Sequence, residues 1–375
     1  MNELPKLTLG VLTLYLNRKR TFEERHYFRL LTLAGKKLGV DVCVFTPENV
    51  DESRRLIHAH IYDTAARKWK RKWIPYPDLF MDRSRFHSIS RYRAIAAFRR
   101  RNPALRFLSS PMGNKWKLYQ LLVRRPAVRP FLPHTTLYRR FDDLRRELLA
   151  RKTVFLKPIH GTGGRDILRI ERMAPGVYAV RGRTKSRRII PERRVNLLQL
   201  RNLVVAKKPA NRYIIQQAID VRLKNGSVHD YRMLVQKNGN GKWEVTGCAG
   251  RVGPAGSVTS NLHGGGRAVP MMKLLAHWLQ NPRLARKTAE DIYAFGLLMG
   301  ETLESIFGRL CEFGLDIAVD HNRNIWLLEV NSKPSRQVFI RIGDKAAYAR
   351  AISRPLEYAR WLHQQAGRSE TAVNA

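Results

Sequence analysis

The chain has 375 residues, 44% of them hydrophobic, which excludes a disordered polypeptide and predicts two or three structural units whose core needs no staples. Its 70 Lys and Arg against 30 Asp and Glu leave a net charge of +40, spread along the whole length; such a field concentrates anions, or is a solvated cationic surface and nothing more. Three scattered cysteines, Cys43, Cys248 and Cys311, have no C-x-x-C spacing, which argues for a reducing compartment and against a disulfide framework or thiolate zinc site, and no apolar run reaches bilayer length.

The first apolar run, Leu7 to Leu12, has the look of a signal-peptide core. It precedes its positive cluster, Arg18, Lys19 and Arg20, and lacks a small-residue cleavage site, so it reads as a buried strand and the protein as cytosolic. The pattern predicts a strand over Leu9 to Leu16, an amphipathic helix over Phe22 to Leu38, and a strand over Asp41 to Phe45. Residues 67–73 then interleave Trp69 and Trp73 with Lys68, Lys70, Arg71 and Lys72. They make either a surface for stacking bases over a cationic groove or ordinary packing. Pro77 to Met81 reads as another short buried strand. Strands alternating with helices predict a small, partly parallel α/β lobe over residues 1–110, ending near Pro111-Met112-Gly113-Asn114.

A helix is expected from Lys115 and another over Phe141 to Leu149, with the segment Leu132 to Leu137 between them. The β-branched and aromatic run Thr153 to Pro158 reads as a strand that proline stops, with Lys157 at its end. Ile159-His160-Gly161-Thr162-Gly163-Gly164-Arg165 follows directly. One cation beside glycine-exposed backbone N–H groups embraces phosphate oxygens; the alternative is a hairpin turn with its lysine laid along the surface. The spacing is not Walker A, which argues against a P-loop fold. A very basic insertion spans Arg181 to Arg194, and a strand is expected over Tyr213 to Asp220. In it, Gln216 and Gln217 after three apolar residues suit a hinge that meets an adenine edge, or simply a strand end. The hairpin Val228 to Val235, turn Asn238 to Gly241, return strand from Trp243 to Arg251 brings Arg232 and Arg251 onto adjacent strands. With the polar, Gly-rich loop Ser260 to Gly266, which holds Asn261, two such arginines can stabilise charge on a transferring phosphoryl group.

The last constellation is the strongest. Strand Glu312 to Val319, turn Asp320 to Asn324 and strand Ile325 to Asn331 form a hairpin that sets Asp316 opposite Glu329, with Asn331 on the same face as Glu329. Two carboxylates among apolar strands repel and lose hydration, so a cation is expected between them. Hard oxygen donors at incomplete count suit Mg²⁺ shared with phosphate oxygens and water.

The order Lys115, Lys157 with its Gly-rich loop, Gln216-Gln217, Arg232, Arg251, Asn261, Asp316, Glu329, Asn331 resembles the ATP-grasp superfamily from about Pro111 onward. Ser260 to Gly266 looks like RimK-type ligases, and with Pro77 to Arg83 the whole chain most resembles the YheC/YheD family of endospore-coat-associated proteins. The resemblance implies an α/β and α+β architecture, with a preliminary lobe, a central lobe over 111–212, a C-terminal lobe over 213–368 and a tail over 369–375. It implies ATP and Mg²⁺ as cofactors: Lys115 and Lys157 on the α- and β-phosphates, Gly161, Thr162, Gly163 and Gly164 around them, Gln216, Gln217, Ala218 and Ile219 at the adenine, Asp220 at the ribose, and Asp316, Glu329 and Asn331 on magnesium. The implied reaction joins a carboxylate to an amine through an acylphosphate, with Arg232 and Arg251 catalytic. The alternatives are a spore-coat structural protein that keeps nucleotide binding, or a basic nucleic-acid binder with no reading motif. The implied partners are ATP, a carboxylate, an amine and spore-surface or other anionic polymer, and the implied location is the mother-cell cytoplasm and then the spore coat. Two positions depart from the family pattern: Gln216 stands where many relatives are acidic, and Gly314 where related ligases often carry arginine, so Arg251 or Arg232 would supply that cation.

Overall fold

A computed structural model describes residues 7–16, 21–85, 89–161 and 163–373. The first sheet comprises β1 (Leu7–Leu12), β2 (Val40–Phe45), β3 (Val50–Asp51), β4 (Leu56–Asp63), β5 (Lys68–Pro75) and β6 (Leu79–Asp82). β1 lies between β2 and β6 and parallel to both, whereas β3, β4 and β5 are antiparallel additions. Both faces of β1 are covered, so its sequence is almost continuously apolar rather than alternating. Leu7, Leu9 and Val11 pack on one side with Phe28 and Leu31 of helix α1 (Arg25–Lys37), and Leu12 packs on the other with Ile95 and Phe98 of α2 (Ile89–Arg101). Gly10 is required where the sheet passes Pro77, since a Cβ there would lie 2.7 Å from the proline Cγ.

α3 (Lys115–Leu122) leads into the second sheet: β7 (Thr135–Leu137), β8 (Thr153–Pro158), β9 (Ile167–Ala174), β10 (Val177–Arg183), β11 (Ile189–Val195) and β12 (Tyr213–Gln217), in the order β11-β10-β9-β8-β12-β7. Helices α4 (Phe141–Arg151) and α5 (Leu197–Val205) close its core through Leu144, Leu148, Leu200 and Val204. The third sheet is β13 (His229–Lys237), β14 (Trp243–Val252), β15 (Arg267–Pro270), β16 (Glu312–Val319) and β17 (Ile325–Asn331), in the order β15-β14-β13-β16-β17. α6 (Met271–Leu279) and α7 (Pro282–Phe307) bury one face, and Val338 and Phe339 of α8 (Gln337–Arg341) pack on the other. The chain then doubles back: Ile352, Leu356, Ala359 and Leu362 of α9 (Lys345–Val373) complete the core of the first sheet. Among the described residues no helix is long and apolar enough to cross a membrane.

Several expected boundaries shift, each for a physical reason. β1 ends at Leu12 rather than Leu16 because its partner ends at Phe45, which pairs with Leu12. The first helix starts at Arg25, not Phe22, since Phe22 bridges back to Tyr15. Strand β12 stops at Gln217, opposite Val154, so Ala218 to Asp220 leave the sheet. The basic insertion is a β10–β11 hairpin, and residues 68–75 form strand β5. Within β5, Trp69 packs edge-on against Phe22, while Trp73 stacks on His58 and remains 46% exposed. Residues 369–373 continue α9 rather than forming a separate tail.

Candidate active site

Between the second and third sheets, with the end of the first closing one side, lies a cleft of about 2010 Å³. Lys115, Lys157, Gly161, Gly163, Gly164, Gln216 to Asp220, Arg232, Arg251, Asn261, Asp316, Glu329 and Asn331 all border it. Thr162 lies outside the described residues.

Each lysine is aimed by the element that carries it. Lys115 opens α3 just after its cap, Asn114, whose Oδ1 accepts from Lys117 N at 3.0 Å. The Lys115 Nζ donates to the Gly161 carbonyl and stands 3.5 Å from Glu329 Oε1. Lys157 ends the run of β8 and donates to Gln216 Oε1 at 2.7 Å. Gln216 is itself anchored, Nε2 donating to Thr135 Oγ1 at 3.1 Å, and Gln217 Oε1 accepts from His134 N at 3.2 Å. Burial pushes the Lys157 ammonium down to a pKa of about 8; Glu329 opposes that shift and Lys115 adds to it. The turn that follows is left-handed at Gly163 (φ +69°) and Gly164 (φ +70°), and a Cβ on Gly164 would stand 2.4 Å from Asn261 Oδ1. The glycine thus brings the central lobe's turn onto the Asn261 loop of the third sheet. Asp220 is engaged by Arg222 through two hydrogen bonds of 2.9 Å.

Asp316 pairs with Glu329 across β16 and β17, with a register shift just after it. Arg232, opposite it on β13, donates to both its oxygens at 2.5 and 3.0 Å, and Arg251 Nη2 lies 3.1 Å away. Burial would raise the Asp316 pKa, but Arg232 and then Arg251 outweigh it and hold it at about 2. Arg251 is not a free cation: it is 3% exposed and grips Asp230 at 2.7 and 2.6 Å. Among the described residues no three His, Cys, Asp or Glu gather as a ready-made metal cage. Two further observations fit a hard cation whose shell is completed from outside the protein. Asn331 Nδ2 is buried with no hydrogen-bond partner, and a half-turn of the amide presents its oxygen instead. Asp316 Oδ1 accepts only one of these bonds, so it keeps a lone pair for a further ligand.

Three groups that frame the site have no assigned role in the sequence reading. Arg183, fully buried in β10, donates to Ser257 Oγ at 2.8 Å and to the Gly264 carbonyl at 2.8 Å, clamping the Asn261 loop to the central lobe. Lys333 Nζ, two residues past Asn331, reaches Asp82 Oδ1 at 2.9 Å and the Ser84 carbonyl at 2.6 Å. Arg83, 2% exposed, joins Glu24 at 2.7 Å and Glu312 at 3.0 Å, and Arg336 also meets Glu312, at 2.5 Å. In sequence these arginines look like many solvated ones. The one signal available was Arg83 directly following the apolar strand Leu79 to Asp82.

Residues 104–362 match the family described as YheC/D like ATP-grasp. Among curated proteins, the chain is 23% identical to the endospore coat-associated protein YheC of Bacillus subtilis (strain 168) over 343 residues, covering 90% of this chain and 91% of that one. It is 26% identical to YheD of the same organism over 361 residues, 95% of this chain and 78% of that one. Among solved structures, the ATP-grasp ligase PsnB, complexed with minimal precursor, Mg and ADP, superposes with a TM-score of 0.51 at 14% identity, over 95% of this chain and 99% of that one.

Proposed function

Because the chain belongs to the YheC/D-like ATP-grasp family, we propose that it binds Mg²⁺-ATP in this cleft and joins a carboxylate to an amine. One observation carries the reading: two lysines, a left-handed glycine turn and an Asp–Glu–Asn trio, contributed by separate elements, border the same cavity. Residues 111–212 and 213–368 act as the two enclosing lobes. Lys115 and Lys157 hold phosphate oxygens, the N–H groups of the 161–164 turn donate beside them, and Gln216 to Ile219 face the base with Asp220 at the ribose. Asp316, Glu329 and Asn331 would hold Mg²⁺. When bound, the metal would supply positive charge against phosphate oxygens of the nucleotide.

The chemistry is activation of the carboxylate as an acylphosphate, followed by attack of the amine and release of phosphate. No side-chain nucleophile is required, so the protein's part is orientation, charge and exclusion of water. Arg232 leans on Asp316 with 13% of its side chain exposed, against 4% for Arg251. Arg232 is therefore the cation nearer to reactants, and Arg251 holds the Asp230–Asp316 pair in register behind it. The names of the two curated relatives, endospore coat-associated proteins, extend the proposal to the spore coat, where the +40 surface would meet anionic polymer.

A second reading, a coat protein that binds nucleotide without turnover, is favoured by the engagement of Asp316 with two arginines. Phosphate release from Mg²⁺-ATP, screened against amino-acid and cell-wall carboxylates with amines, decides between them. Glu329→Gln keeps volume and removes charge, so it is expected to fold normally and to lose Mg²⁺-dependent nucleotide binding. Nucleotide binding by the parent with no phosphate release for any pair would leave the structural reading standing. A Glu329→Gln variant that binds Mg²⁺-ATP like the parent would remove the metal site.

A further inference from the structure

We propose that the mouth of the cleft, where Arg85, Arg165, Arg187 and His263 border the cavity, receives a co-substrate that carries two or more acidic groups. The inference rests on the reading above that a second substrate enters this cleft. Room for one is present: the volume of about 2010 Å³ is roughly twice the upper end of an ordinary small-molecule pocket, about 1,000 Å³.

Arg187 borders the cavity beside the glycine turn. It sits at the tip of the β10–β11 hairpin with φ +69°, a left-handed conformation unusual for a residue with a Cβ. The turn is fixed by its N–H to the Thr184 carbonyl at 3.0 Å and by Arg183 Nη1 donating to its own carbonyl at 3.2 Å. Its guanidinium is laid against the glycine turn, close enough that a Cβ on Gly163 would be 3.0 Å from Nη2. Its Nε is buried without a hydrogen-bond partner. A strained arginine with an unanswered donor, wedged beside the glycine turn and facing the cavity, is what a site for an anion looks like before the anion arrives.

Its surroundings are cationic from three sides. Burial and then Arg165 lower the Arg187 pKa, and burial followed by Arg187, Arg85 and Arg341 lowers that of His263. Glu23 is the acid that opposes both shifts, and it already bonds Arg85 at 3.3 Å. The first sheet thus contributes Arg85, the second Arg165 and Arg187, and the third His263. One phosphoryl or carboxylate group cannot answer cations on three bodies; a chain of acidic groups spans them and draws the lobes together.

The test measures binding, not turnover. Labelled hexaglutamate and hexaglutamine are titrated into the full chain with saturating Mg²⁺-ADP, and Mg²⁺-ATP affinity is measured separately. Hexaglutamate is expected to bind at least about tenfold tighter than hexaglutamine, and Arg165→Gln/Arg187→Gln to lose at least about tenfold of that affinity, the scale of two charge-assisted contacts. Lys68→Gln/Lys72→Gln, which removes equal charge from strand β5 outside the lining of the cavity, should change it less than about twofold, as dispersed surface charges do. Equal loss in the two double variants would overturn the proposal in favour of the general cationic field. A matching loss of Mg²⁺-ATP affinity in Arg165→Gln/Arg187→Gln would also overturn it, by giving those arginines to the nucleotide. Absence of Mg²⁺-ATP binding with peptide discrimination intact would sink the proposed nucleotide chemistry while supporting the anionic site.

Discussion

Lys157 is held near the middle of its titration at mildly alkaline pH, because burial depresses its pKa to about 8. Phosphate favours the ammonium form, so above that pH the free protein must take up a proton in order to bind. Mg²⁺-ATP affinity should therefore fall by up to about tenfold per pH unit above pH 8, and Lys157→Arg should flatten the decline. At neutral pH, Lys157→Ala should weaken binding by about 1.5–3 kcal/mol. Calorimetric titration over this range checks both, and an affinity unaffected by the alanine would reduce Lys157 to a support for Gln216. The face shared by Glu329 and Asn331, and Asp316 opposite, were legible because a single short hairpin fixes them. The partners of Asp316 were not. Arg232 and Arg251 stand far from it in sequence, and only the pairing of β13 with β16 brings Arg232 alongside.

The β16–β17 hairpin was readable to its ends because turn chemistry and alternation agree. Asp320 Oδ1 accepts from the N–H groups of Asn322 and Asn324 at 2.9 Å each, as an aspartate at a turn start should. The β10–β11 hairpin was opaque for the opposite reason: its charge density reads as solvent-facing, yet Arg183 within it is fully buried. That arginine ties the element to the Asn261 loop. Arg183→Met should release residues 257–266, leaving Ser257 and the Gly264 carbonyl without their donor. Hydrogen exchange is expected to rise at those amides while the three sheets keep their protection. Unchanged exchange there would mean that the contact of Gly164 with Asn261 suffices to hold the loop.

The first and third sheets are joined by buried charge as well as by apolar packing. Arg83 comes from the first sheet's end, Glu312 from β16 and Arg336 from just before α8, with Glu24 completing the set. Arg83→Met strips Glu24 of its bidentate partner, leaving it only Arg85 at 3.2 Å, and leaves one oxygen of Glu312 unanswered, which should cost about 3–5 kcal/mol in urea or thermal melting. Burial raises the Glu24 pKa, but Arg83, Arg85 and Arg336 together bring it below its ordinary 4.5. A depressed carboxylate stabilises fully above its unfolded value and loses that contribution as pH falls through the folded one. Acid unfolding of the parent should thus set in below about pH 4.5, and Arg83→Met should be less sensitive to pH there. A parallel acid profile for the two proteins would place the sensitivity elsewhere. Helix α9 adds a consequence for how the protein is made. Its Ile352, Leu356 and Leu362 seal the hydrophobic face of a sheet whose first strand left the ribosome more than three hundred residues earlier. At about 5–20 residues per second, that face waits tens of seconds for its cover during synthesis. Until then α1 is that face's only helical cover, so the nascent chain exposes the rest of this apolar surface for much of translation and would gain from chaperones that act at the ribosome.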